Sequence, residues 1–228
     1  MLKLLVPLLV LFACGTAAIA GESVCYGKVS NGRLDGGIKL PSSGPNFTAY
    51  SDAGVALGRT YVHTSVHKAV VDAYKALESS APGKVFVYGE GSWAKGGRIQ
   101  PHRTHQNGLS VDFMVPVLDS KGRSVPLPTS PLNKFGYGLE FDTAGRLDDL
   151  RIDFEVVAEH IYQLDRAARS GGSGLALVIL DPGYLPKVFA TRRGAELKSL
   201  PFMAKPAWVR HDDHYHVDFA VQCKPLSK

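Results

Sequence analysis

Near its carboxyl end the chain reads Ala207-Trp208-Val209-Arg210-His211-Asp212-Asp213-His214-Tyr215-His216-Val217-Asp218-Phe219, and no other stretch limits its folding as much. After the acidic pair the alternation is strict. In a strand, His214, His216 and Asp218 share one face, while Tyr215, Val217, Phe219 and Val221 take the other. Two imidazoles at i and i+2 lie about 6–7 Å apart at Cα. They can line one site, one as a metal ligand and the other beside it; a strand edge with exposed polar residues would satisfy the same pattern.

A second stretch, a hundred residues upstream, bears on that choice. It reads Gly96-Gly97-Arg98-Ile99-Gln100-Pro101-His102-Arg103-Thr104-His105-Gln106-Asn107-Gly108-Leu109-Ser110-Val111-Asp112-Phe113. A His pair is followed by a turn at Asn107-Gly108 and another alternating run. Val111, Phe113 and Val115 form a core face, and Ser110, Asp112 and Met114 the opposite one. The turn brings His105 near Asp112. Together with one histidine of the last strand they supply three N/O ligands, the count of a catalytic zinc site with a fourth position left for water. Structural zinc sites favour four Cys-rich ligands, and three cysteines are too few for one.

The pattern H-x6-D followed distantly by H-x-H resembles the peptidases grouped with lysostaphin, the D-Ala-D-Ala metallopeptidases and the hedgehog amino-terminal domain. The wording GGRIQPHRTHQNGLSVDF and HDDHYHVDF is similar to the penicillin-insensitive murein endopeptidases of that group. The resemblance implies a small antiparallel sheet holding one zinc per chain, with His105, Asp112 and His216 as ligands. It makes His214 the acid/base or oxyanion group, and His102 and His211, each three residues before a central histidine, its auxiliaries. Asp212 and Asp213 are candidates to orient imidazole N–H groups, and Arg98 to bind a substrate carboxylate. The implied substrate is peptidoglycan, cut at its D-alanyl–diaminopimelyl crosslink.

The first twenty residues form an export signal: a positive start at Met1-Leu2-Lys3, an apolar run from Leu4 to Phe12, and a small-residue cleavage site at Ala18-Ile19-Ala20. The run is too short to span a membrane. This predicts an exported, periplasmic protein whose single mature domain covers residues 21–228. Leu11-Phe12-Ala13-Cys14 is close to a lipoprotein signal, which leaves a lipid anchor at Cys14 as an alternative. Cys25 and Cys223, at opposite ends of the mature chain, form an even pair suited to a disulfide in an oxidising compartment.

Between these landmarks the expected class is α+β, with helices on an antiparallel sheet. Residues 26–60 read as loops and short strands. Tyr61 to Ser79 has helical spacing at Val66, Val70, Tyr74 and Leu77, with His63 and His67 as ordinary helix histidines because no HExxH pattern follows. Lys84 to Gly89 reads as a strand leading to the site. Val115 to Pro131 reads as surface loop, and Phe135–Asp142 with Leu147–Ile152 as a hairpin about residues 143–146. Asp153 caps a helix to about Arg169, with His160 structural. Leu175–Leu180 is an apolar strand, and Pro186–Leu200 a short basic helix.

With 26 basic and 21 acidic residues the net charge is +5, scattered without an aromatic-interleaved stripe, so nucleic acid is not an expected partner. A mild positive charge biases an exported protein towards anionic polymers such as cell wall. The reading is therefore a zinc peptidase acting on peptidoglycan. A non-catalytic zinc-bearing module of the hedgehog type, a D-Ala-D-Ala-type carboxypeptidase or dipeptidase, and a toxin against competitors stay as alternatives; oligomeric state is not encoded legibly.

Overall fold

The computed structural model describes residues 22–226, so the export signal and Cys14 lie outside the described residues. A five-stranded sheet organises the chain: β1 (Phe47–Ala49), β2 (Phe86–Tyr88), β3 (Ser110–Met114), β4 (Leu175–Ile179) and β5 (His214–Phe219). Their spatial order is β4-β5-β3-β2-β1. All neighbours run antiparallel except β1 and β2, which pair in parallel at one edge.

Two helices of 17 residues each, α1 (Thr64–Ser80) and α2 (Phe154–Ser170), pack on each other and cover one sheet face. In α1, Val66, Ala69, Val70, Ala73, Tyr74 and Leu77 recur every three or four residues and are all buried. Burying aliphatic side chains such as Val70 and Leu77 stabilises the fold by about 1.5–3 kcal/mol each. In α2 the buried stripe is Val157, Ile161, Leu164 and Ala168. Asp153 caps it, accepting from the Val156 N–H at 3.3 Å. Facing the helices are Phe86, Val111, Phe113, Tyr215 and Val217, all buried. His160 of α2 sits among Tyr74, Phe86 and Phe113, with ring centroids 4.9–5.0 Å away, and hydrogen-bonds the Tyr215 hydroxyl. Burial pushes its pKa down to about 3, so it is a neutral core histidine.

Several expectations are corrected here. The helix begins at Thr64, because Tyr61–Val62 form a short strand with Ile38–Lys39, and His63 is its N-cap: Nδ1 accepts from the Ser65 N–H at 3.1 Å. The Val115–Pro131 segment is not plain loop. Val117–Leu118 and Ser124–Val125 join Arg146–Leu147 and Leu150–Ile152 in a second, four-stranded sheet, with Val115, Val117 and Leu127 buried. The hairpin turns at Asp148-Asp149, one bend later than expected, and Phe135–Asp142 is not strand: Phe135 and Gly136 end a 3-10 segment, Pro131–Gly136, and the rest is turn and loop. In place of one helix over Pro186–Leu200 there are two short ones, Leu185–Phe189 and Gly194–Leu197.

Cys25 and Cys223 are bonded, 198 positions apart in sequence. The bridge fastens the hairpin of Val24–Lys28 and Asn31–Asp35 to the C-terminal tail, and two backbone hydrogen bonds with Lys224 run beside it. Loop-closure entropy bounds its contribution at roughly 5 kcal/mol, less any native strain. Neither Cys25 nor Cys223 should take up thiol reagent in denatured, non-reduced protein. A Cys25→Ser/Cys223→Ser variant should lose about 2–5 kcal/mol in a denaturant titration.

Candidate active site

The sheet face away from the helices is polar and still buried. The register between β3 and β5 sets His216 opposite Asp112, Asp218 opposite Ser110, and His214 opposite Met114. Directly opposed side chains have Cβ atoms about 4.5–5.5 Å apart, close enough for a chain of contacts across the strands. His216 Nδ1 lies 2.9 Å from Asp112 Oδ1, and its Nε2 lies 2.8 Å from Asp218 Oδ1. The Ser110 hydroxyl donates to that same Asp218 oxygen at 2.5 Å. Burial lowers the pKa of His216, but Asp218 and Asp112 outweigh it and push the value up to about 10. A metal ion bound at Nδ1 would displace a proton from the ring.

His105 arrives from the loop that joins β2 to β3. Its backbone has φ of 67°, a left-handed conformation that costs a non-glycine residue roughly 1–2 kcal/mol. The turn is closed by Gly108, where a Cβ would sit 2.6 Å from Leu34 Cδ2 and 2.9 Å from the His63 nitrogen. The ring is fully buried. Its Nδ1–H donates to the Gly91 carbonyl at 2.9 Å. Nε2 makes no hydrogen bond and lies 3.2 Å from Asp112 Oδ1. Burial holds the pKa of this imidazole low, so Nε2 presents a lone pair in a dry site. An unsatisfied buried acceptor costs about 1–3 kcal/mol, and a cation at this point would relieve it.

The residues present fit a metal ion. Asp112 Oδ1 is approached by His105 Nε2 and by His216 Nδ1, at 3.2 and 2.9 Å. Tetrahedral ligands at roughly 2.0–2.1 Å from zinc stand about 3.3 Å from one another. His102 is close enough to count: it, His105 and Asp112 have ligand atoms within 4.8 Å of one another. Its Nε2, however, is engaged by Glu90 Oε2 at 2.6 Å, and its Nδ1 lies 3.7 Å from Asp112 Oδ2.

The remaining histidines line the same face. His214 Nδ1 is bound by Asp213 Oδ1; burial lowers the pKa of this ring, but the Asp213 contact and the charge of Asp112 outweigh it and raise the value. The ring lies 4.6 Å from that of His211 and 4.8 Å from that of Tyr137. His211 donates from Nδ1 to the Val209 carbonyl at 2.8 Å; burial, helped by His214, depresses its pKa to about 4. Of the two aspartates proposed to orient imidazoles, only Asp213 touches one. Asp212 accepts from the Phe141 N–H at 2.7 Å and lies 3.4 Å from Arg210 Nη1. Arg98 is exposed and its guanidinium makes no ion pair among the described residues; its carbonyl accepts from Trp93 Nε1 at 3.1 Å.

Two residues escape sequence reasoning. Glu90, between Gly89 and Gly91, binds His102, receives Arg59 Nε at 2.5 Å and Nη2 at 2.6 Å, and accepts from the Tyr50 hydroxyl at 2.7 Å. Against the opposing effect of burial, His102 and Arg59 hold its pKa at about 2. Tyr137 follows the 3-10 segment; its hydroxyl donates to Asp112 Oδ2 at 3.0 Å and accepts from the Glu90 N–H at 2.9 Å. Gly89 is the signal that was available: a Cβ there would meet the Tyr137 hydroxyl at 2.4 Å and Asp112 Cβ at 3.0 Å. No local pattern marks Tyr137.

Residues 25–127 match the penicillin-insensitive murein endopeptidase family. The matched stretch of the chain contains Glu90, His102, His105 and Asp112, and ends before β5. It supports a hydrolase acting on peptidoglycan. No curated protein matches the chain. Among the described residues no helix is long and apolar enough to cross a membrane.

Tyr137→Phe removes one hydroxyl that serves both Asp112 and Glu90. The variant should unfold at lower denaturant, by about 1–3 kcal/mol, because it strands a buried backbone N–H.

Proposed function

We propose that this protein is an exported zinc metallopeptidase that hydrolyses peptide crosslinks of peptidoglycan, with the D-alanyl–diaminopimelyl bond as its target. The observation that carries this reading is the meeting of His105 Nε2 and His216 Nδ1 on Asp112 Oδ1, from segments a hundred residues apart. His105, Asp112 and His216 would hold the ion, and the murein endopeptidase match supplies the substrate class. His216 is preferred to His214 as ligand because Asp218 orients it from behind, as carboxylates do for ligating imidazoles. His102 is left out of the ligand set because Glu90 already holds its Nε2.

Zinc, when bound, supplies a Lewis acid that activates water and polarises an amide carbonyl. The rest of the chemistry belongs to side chains. His214, with Nδ1 held by Asp213, keeps Nε2 for moving a proton towards the leaving nitrogen. His211 packs against that ring, and His102 turns Nδ1 towards Asp112 from the other side. Both are placed to share the proton work or to steady the oxyanion. Burial of His105, Asp112, His211, His214 and His216 keeps bulk water from competing with these contacts. The Cys25–Cys223 bond suits an oxidising compartment, in keeping with export to the periplasm as a single domain over residues 21–228.

Digesting purified murein with the mature protein and weighing the products by mass spectrometry tests the substrate. Crosslinked dimers should fall to monomers with the terminal stem residues intact; loss of single terminal residues would instead mark a carboxypeptidase. The metal should be stoichiometric, one zinc per chain, and removable by chelator. His105→Ala, Asp112→Ala and His216→Ala should each abolish it. His214→Ala should keep its zinc and lose at least about a hundredfold in crosslink cleavage, within the range for removing a proton-transfer group. Zinc lost by His214→Ala and kept by His216→Ala would reverse the two roles.

A further inference from the structure

The Glu90 carboxylate is anchored independently of the histidine it touches. Its backbone is tied to the site strand: the Asp112 N–H donates to the Glu90 carbonyl at 2.9 Å, and the Gly89 N–H donates to the Asp112 carbonyl at 2.7 Å. Its side chain is tied to the opposite wall, by two donors from Arg59 and one from Tyr50. Arg59 in turn donates from Nη2 to the Gln100 carbonyl at 2.6 Å, in the loop that carries His102. Three charge-assisted or hydroxyl donors fill the carboxylate until one position is left, and His102 Nε2–H takes it at 2.6 Å. The imidazole then has its N–H fixed at Nε2, and the ring so held turns Nδ1 towards Asp112 Oδ2, 3.7 Å away.

We propose that Glu90 is a positioning residue for His102, fixing the ring orientation and tautomer that turn Nδ1 towards the reacting groups. The arrangement repeats across the site, where Asp213 holds His214 through Nδ1. Two carboxylate–imidazole pairs thus flank Asp112, one from the loop before β3 and one from the start of β5. An ion-pair network serving stability alone has no need to end on an imidazole nitrogen whose partner nitrogen faces Asp112. The inference rests on the hydrolytic reading for its effect on rate, whereas the tautomer stands apart from it.

The test compares wild type, Glu90→Ala, Glu90→Gln, and the double variant Arg59→Met/Glu90→Leu, which removes both charges so that neither is left buried alone. Nitrogen-15 NMR of histidine-labelled protein reads the His102 tautomer, with or without metal. Zinc content, KM and kcat on purified murein are measured alongside. Glu90→Ala and the double variant should keep zinc and KM, lose the fixed Nε2–H tautomer, and fall about 10–100-fold in kcat, the range for removing a partner of this kind. Glu90→Gln, whose amide oxygen still accepts from Nε2–H, should recover the tautomer and most of kcat. An unchanged tautomer and kcat in the double variant would overturn the proposal, as would a kcat loss that tracks lost zinc. A wild-type protein inert on murein would overturn the functional reading instead, while the NMR comparison would still decide whether Glu90 sets His102.

Discussion

Everything in the site depends on one antiparallel pairing, β3 with β5, and on the register that sets Asp112 opposite His216. Backbone hydrogen bonds fix that register, and the pleat then sorts the side chains. Tyr215, Val217, Val111 and Phe113 go under the helices, while His214, His216, Asp218, Ser110 and Asp112 go to the other face. Helices α1 and α2 supply the apolar burial that holds the pair in place. The polar face contributes little to that stability. It gathers four carboxylates and five imidazoles in low dielectric, where each unpaired charge would cost several kcal/mol.

The structure meets this cost by pairing. Glu90 takes His102 and Arg59, Asp213 takes His214, Asp218 takes His216 and Ser110, and Tyr137 covers the second oxygen of Asp112. One atom stands outside the scheme, His105 Nε2, buried without a hydrogen bond. Its lone pair lies beside Asp112 Oδ1, and a donor set of this kind fits a cation.

Much of this was legible in the sequence, because β3 and β5 are long enough to show period-two alternation and carry their chemistry on it. The helix of Thr64–Ser80 and the cap at Asp153 were legible for the same reason, a period of 3.6 and a known capping residue. The second sheet was not. Val117–Leu118 and Ser124–Val125 are two residues each, too short for any period; the first pairs with Arg151–Ile152 and the second with the first, and tertiary contact decides both pairings. Glu90 was hidden because its partners Arg59, Tyr50 and His102 come from three separate segments. Tyr137 was hidden because its ring enters the site from a segment whose backbone, with positive φ at Lys134 and Phe135, follows no regular pattern.

The two-sided character of β5 has a bearing on how such a chain can fail. A slip of one residue against β3 would turn Tyr215 and Val217 towards the polar face and His214 and His216 under the helices. The slipped molecule would lose its apolar core and the meeting of Asp112 with His216 in the same step. Misregistered forms should therefore behave as unfolded protein, and should not persist as compact, inactive impostors.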